Sequence, residues 1–128
     1  VQALHERGVP MAVASSTPAD MLATCMERCG FAPYTKAVVS VDDLRTSKRE
    51  PAVYDHARSF LGTDRAHTWG FEDAAYALDT LRAAGYRTGA IYDNDISGTR
   101  DQLFARADFL LSSWEDLDPD TFLAKAEA

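Results

Sequence analysis

Three times along this chain a short apolar run passes into a stretch whose apolar positions recur at helical spacing, and each such stretch stops at a glycine: Gly30, Gly62 and Gly85. A strand followed by a crossover helix returns the chain to the same end of the sheet. The repeat therefore predicts an α/β fold, an open parallel sheet with helices on both faces. In the first repeat Pro10–Ala14 reads as a strand, and Thr17 as the cap of a helix that begins at Pro18, with Asp20 in its first turn. Met21, Leu22, Cys25, Met26 and Cys29 form its apolar stripe. In the second, Lys36–Val41 is a strand, Asp42–Glu50 a polar loop, and Pro51 opens a helix with Val53, Tyr54, Ala57, Phe60 and Leu61 on its buried side. In the third, Ala66–Phe71 is a strand and Asp73–Ala84 a helix that buries Ala74, Ala77, Leu78 and Leu81. Tyr86–Tyr92 and Ala107–Leu111 supply two further strands around a helix near Thr99–Arg106, and Asp118–Ala128 reads as a terminal helix. Val1–Gly8 reads as the end of a helix, so the chain starts in mid-element.

Composition narrows the class. A chain of 128 residues, 46% hydrophobic and 26% charged, fits one globular domain with a real core. The net charge of −7 argues against a nucleic-acid surface, which requires excess Lys and Arg. No apolar run approaches the roughly 20 residues of a membrane span, and a cytoplasmic location is the default expectation. Cys25 and Cys29, four apart, share a helix face and read as reduced core thiols; no nearby His or Cys completes a four-ligand metal set. His5, His56 and His67 show no ligand spacing, and Trp69 and Trp114 read as packing residues.

Ligand sites in open parallel sheets lie beyond the carboxyl ends of the strands. Ser15-Ser16-Thr17, Asp42-Asp43, Glu72-Asp73 and Asp93-Asn94-Asp95 all fall there. Hydroxyls at a helix amino end favour an anion, and carboxylates at other strand ends favour a hard cation, so the set suits a phosphate-plus-divalent-cation site. Taken singly, each has a plainer structural use: an N-cap for the serines, a solvated loop charge for Lys48, helix-start acids for Glu72 and Asp73.

The order of three segments carries more. Val13-Ala-Ser-Ser-Thr-Pro18, then Ser47-Lys-Arg-Glu-Pro51, then Gly70-Phe-Glu-Asp73 followed by Leu81-Arg-Ala-Ala-Gly-Tyr86 resemble motifs two, three and four of the haloacid-dehalogenase-like (HAD) hydrolase superfamily, in the branch of β-phosphoglucomutase and phosphoglycolate phosphatase. The resemblance spans almost the whole chain. It implies that Ser15, with Ser16 beside it, binds a phosphoryl group, that Lys48 neutralises phosphoryl charge, and that Asp73 and Glu72 hold Mg2+.

Departures from the family pattern are specific. Ser47-Lys48-Arg49 stands where Gly-Lys-Pro is common, with proline recovered at Pro51, and Ala74–Ala77 replaces Ser-x-x-Gly. The family's nucleophile is the first Asp of an Asp-x-Asp pair on a strand preceding motif two, and no aspartate precedes Ser15. Asp93-Asn-Asp95 imitates that pair but follows motif four, and reads as a polar loop capping the next helix. In the family, the nucleophile strand lies at the sheet centre, between the strands ending here at Ala14 and Phe71. The resemblance therefore implies that residues 1–128 are the C-terminal portion of a catalytic core. An N-terminal segment or a second chain would then complete the sheet.

Three functions follow as expectations. The first is a Mg2+-dependent phosphatase or phosphomutase acting on a small phosphorylated metabolite through an aspartyl-phosphate, with this chain inactive alone. The second is a non-catalytic, receiver-like or pseudoenzyme binding module. The third is a fragment that complements a separate nucleophile-bearing chain.

Overall fold

The computed structural model describes residues 2–30, 32–45, 47–92, 99–111 and 117–127. Helix and strand alternate: α1 (Gln2–Glu6), β1 (Ala12–Ser15), α2 (Ala19–Cys29), β2 (Ala37–Ser40), α3 (Ala52–Ser59), β3 (Trp69–Glu72), α4 (Ala75–Ala84), β4 (Arg87–Ile91), α5 (Arg100–Arg106), β5 (Phe109–Leu111) and α6 (Pro119–Glu127). The chain divides into two compact units, Val1–Thr68 and Trp69–Ala128.

Every strand pairing among the described residues is parallel. In the first unit β1 runs beside β2, from Ala12 opposite Ala37 to Ser15 opposite Ser40. In the second, β4 lies between β3 and β5.

Alternation along the strands explains how each sheet is covered. In the second unit, Trp69 and Phe71 project to one face, where Phe122 of α6 meets Trp69, Phe71 and Phe109 at ring-centroid distances of 5.2, 5.5 and 5.6 Å. The Arg87 guanidinium lies 4.5 Å over the Trp69 ring and donates a hydrogen bond to the Ala126 carbonyl, pinning the end of α6. The other face, with Gly70, Thr88 and Ala90, is covered by α4 and α5 through Leu78, Leu81 and Leu103, which are fully buried. A side chain at Gly70 would meet Leu81 Cδ1 at 2.6 Å, so glycine is what lets α4 sit this close. The αL conformation of Gly85 (φ 95°) closes α4 by returning its N–H to Arg82 and Leu81. In the first unit, Val38 and Ser40 line a cleft with Leu22 and Met26 of α2, while α3 packs on β1 and β2.

Several local expectations are corrected. The Pro18 backbone, at ψ 146°, stands outside the helix as its N-cap, so α2 begins at Ala19 and Thr17 does not cap it. Residues Arg65–His67 form a 3₁₀ turn, with Asp64 accepting from the His67 N–H, and the third strand therefore starts later and runs through Glu72. The helix after it starts at Ala75, which leaves Asp73 in the connecting bend. Phe60 is 48% exposed, beyond the end of α3, and Met21 is 61% exposed. Cys25 and Cys29 are free and exposed, because α2 buries Leu22 and Met26 instead. The Cys29 thiol pKa is pushed up, chiefly by its hydrogen bond with Cys25.

Two outcomes test this packing. Phe122→Ala is expected to lower stability by about 3–5 kcal/mol in urea unfolding, whereas Phe104→Ala, at a 67% exposed position, should change it by less than ~0.5 kcal/mol. Native alkylation followed by intact-mass measurement should modify both Cys25 and Cys29; protection of either would place it back in the core.

Candidate active site

The candidate residues divide between the units: Ser15, Ser16 and Lys48 in the first, Glu72 and Asp73 in the second. Each group sits at the carboxyl end of a strand or in the turn that leads into a helix.

Ser15 is the last residue of β1 and is half-buried. Its Oγ accepts the N–H of Thr17 at 3.1 Å, a side-chain turn that folds the loop back before α2 begins. One of the two lone pairs is used in that bond, and the hydroxyl hydrogen is left to donate elsewhere. Ser16 is exposed in the same turn, so the structure brings the two predicted serines together at the approach to α2. Asp20 lies in the first turn of that helix, where its carboxylate accepts the Met21 N–H at 2.9 Å.

Sequence reasoning missed the residue that ties this turn down. Ser40, the last residue of β2 and 1% exposed, donates from Oγ to the Thr17 carbonyl at 2.7 Å and accepts the Asp42 N–H at 3.3 Å. It is in register with Ser15 across the β1–β2 ladder. A hydroxyl ending a run of valines is the one available signal, and it reads equally well as a strand terminus. Asp42 lies in the 3₁₀ turn Val41–Leu44 and is exposed.

Lys48 is half-buried in the turn 47–50, which is closed by the Glu50 N–H on the Ser47 carbonyl at 3.2 Å and by the Arg49 N–H on Ser47 Oγ at 3.2 Å. The turn delivers the chain to Pro51, whose carbonyl accepts the Asp55 N–H to start α3. Ser47 thus holds a bend where the common family pattern has glycine.

Glu72 ends β3 and is 7% exposed; Asp73 follows it, exposed, in the bend before α4. The two neighbouring carboxylates thus differ in burial. Glu72 shares the α4 face with Gly70 by alternation, and Asp73 is open to solvent. Among the described residues no group of three or more His, Cys, Asp or Glu side chains is arranged to hold a metal ion. Two carboxylates nevertheless suit Mg2+, which is held by one or two of them together with waters and phosphate oxygens. Asp93-Asn94-Asp95 and Trp114 lie outside the described residues, while Thr99 caps α5 in a reciprocal capping box with Gln102. No described helix is long and apolar enough to cross a membrane.

Solved structures with the same fold include β-phosphoglucomutase from Clostridium difficile, at TM-score 0.80 and 12% identity over 98% of this chain and 52% of that one. A HAD hydrolase of family IA, variant 3, from Entamoeba histolytica superposes at TM-score 0.82 and 17% identity, over 99% of this chain and 57% of that one. CbbY from Rhodobacter sphaeroides, in complex with phosphate, does so at 0.77 and 24%, over 91% and 52%. The chain thus spans about half the length of the solved structures it matches. Among curated protein sequences none matches it. The sequence model described as haloacid dehalogenase-like hydrolase matches residues 1–85, a span that includes Ser15, Ser16, Lys48, Glu72 and Asp73, and the chain belongs to that hydrolase family.

Proposed function

We propose that residues 1–128 are the C-terminal portion of the catalytic core of a Mg2+-dependent phosphatase or phosphomutase that acts on a small phosphorylated metabolite. The observation that carries this reading is that the family match runs through all five candidate residues, each at or just beyond a strand's carboxyl end or in a helix-leading turn. Phosphate bound to CbbY, a structural neighbour, is consistent with an anion as the shared ligand.

In this reading Ser15 donates its hydroxyl hydrogen to a phosphoryl oxygen, and the backbone N–H groups around Ser16 and the amino end of α2 add to the positive potential there. Lys48 contributes a full charge against the phosphoryl oxygens. Glu72 and Asp73 would hold the ion, the buried carboxylate fixed by the strand and the exposed one free to turn toward solvent and ligand. When bound, Mg2+ supplies neutralisation of phosphoryl charge as a nucleophile approaches. The nucleophile is an aspartate outside this chain, on a strand supplied by an N-terminal segment or a second polypeptide, and the phosphoryl group is carried on it as an aspartyl-phosphate.

The test has two parts. The purified 128-residue chain should show no Mg2+-dependent phosphatase activity, and native mass spectrometry of active material should show the 14.1 kDa chain accompanied by an Asp-x-Asp-bearing polypeptide or covalently continuous with one. Activity of the lone chain that disappears in Asp93→Asn would overturn this assignment of the nucleophile. In the assembled enzyme, Lys48→Ala should lower kcat about 10²–10³-fold, the scale of losing one preorganised charge donor, and Asp73→Asn should raise the Mg2+ concentration needed for half-maximal rate.

A further inference from the structure

We infer that Ser40 is a positioning residue for the anion-binding turn, holding Ser15 in donor geometry through Thr17. The inference rests on the reading of Ser15 as a phosphoryl ligand and adds to it a residue that none of the motif comparisons singles out.

A serine hydroxyl carries one hydrogen and two acceptor lone pairs. At Ser40 the hydrogen is committed, because the Thr17 carbonyl at 2.7 Å can only accept, and the oxygen in turn takes the Asp42 N–H at 3.3 Å. Thr17, so held, donates its own N–H to Ser15 Oγ at 3.1 Å. The result is a directed chain, Asp42 to Ser40 to Thr17 to Ser15. One acceptor position of Ser15 is filled by it, and the hydroxyl hydrogen stays available to a ligand. The chain joins the two loops that leave β1 and β2, whose last residues stand in register.

Burial makes this bond matter. Ser40 is 1% exposed and Thr17 half-buried, so a carbonyl deprived of the Ser40 donor has limited access to replacement water. Among the described residues no buried side-chain polar atom lacks a partner. A ligand-binding hydroxyl fixed before the anion arrives needs no reorganisation when it binds, which is the advantage of preorganised donors. Ser40 touches no ligand in this scheme and acts only by holding the Thr17 backbone, whose carbonyl and N–H belong to successive peptide groups.

The test uses the 128-residue chain, inorganic phosphate as the probe, and amide chemical shifts of Ser16 and Thr17 as the readout. Ser15→Ala, Ser40→Ala, Ser40→Cys and Ser40→Thr are compared, with the thermal midpoint recorded for each. Ser40→Ala is expected to weaken phosphate binding about five- to tenfold, the scale of one hydrogen bond, beyond any change in midpoint. Ser40→Thr, which keeps the hydroxyl, should restore it, and the near-isosteric Ser40→Cys, a weaker donor, should fall between. Ser40→Cys also serves if the alanine variant does not fold. Unchanged affinity in Ser40→Ala or Ser40→Cys while Ser15→Ala loses binding would overturn the role of Ser40 alone. Unchanged affinity in Ser15→Ala would instead overturn the phosphoryl-ligand reading, and this inference with it.

Discussion

Because β1 and β2 run in the same direction and in register, the residues that finish them, Ser15 and Ser40, stand side by side and the loops that leave them share one edge. Parallel pairing makes this geometry unavoidable: each strand must be followed by a crossover, and every crossover departs from the same end. The link from Ser40 to Ser15 through the Thr17 backbone exists only because two strand ends meet there. In the other unit the same rule places Glu72 at the carboxyl end of β3, opposite Ala90 of β4, with Asp73 as the first residue to leave the sheet.

Among the described residues β1 and β3 are each paired on one side. Both are short and apolar for most of their length, and an open edge of that kind presents unsatisfied N–H and C=O groups to any strand that fits. A parallel strand laid against either edge would satisfy its backbone groups.

Much of the fold was legible because periodicity is a burial signal. Spacing alone marks Leu78, Leu81 and Val53 as core, and all are fully buried. The misread positions have local physical causes. Pro18 was placed inside α2, yet its extended ψ makes it the cap, and the Ser15–Thr17 turn takes the place of an N-cap bond. Cys25 and Cys29 share the periodicity of the apolar stripe but lie off its centre, where Leu22 and Met26 make the contact. The strand read as Ala66–Phe71 loses its first residues because the carboxylate of Asp64, by capping the His67 N–H, turns Arg65–His67 into a 3₁₀ helix.

The sequence by itself determined the succession of parallel strands and helices, the family, and the identity of the residues proposed to hold phosphate and metal, because hydrophobic period and motif order are properties of the chain. Only the tertiary structure decided that Glu72 is buried while Asp73 is not, that Ser15 is bonded to Thr17, and that Ser40 reaches across from the neighbouring strand to hold that turn. Those facts depend on which strands are adjacent and in what register. A hydrogen bond between residues 23 positions apart has no local signature, since it is set by where the sheet brings two strand ends together.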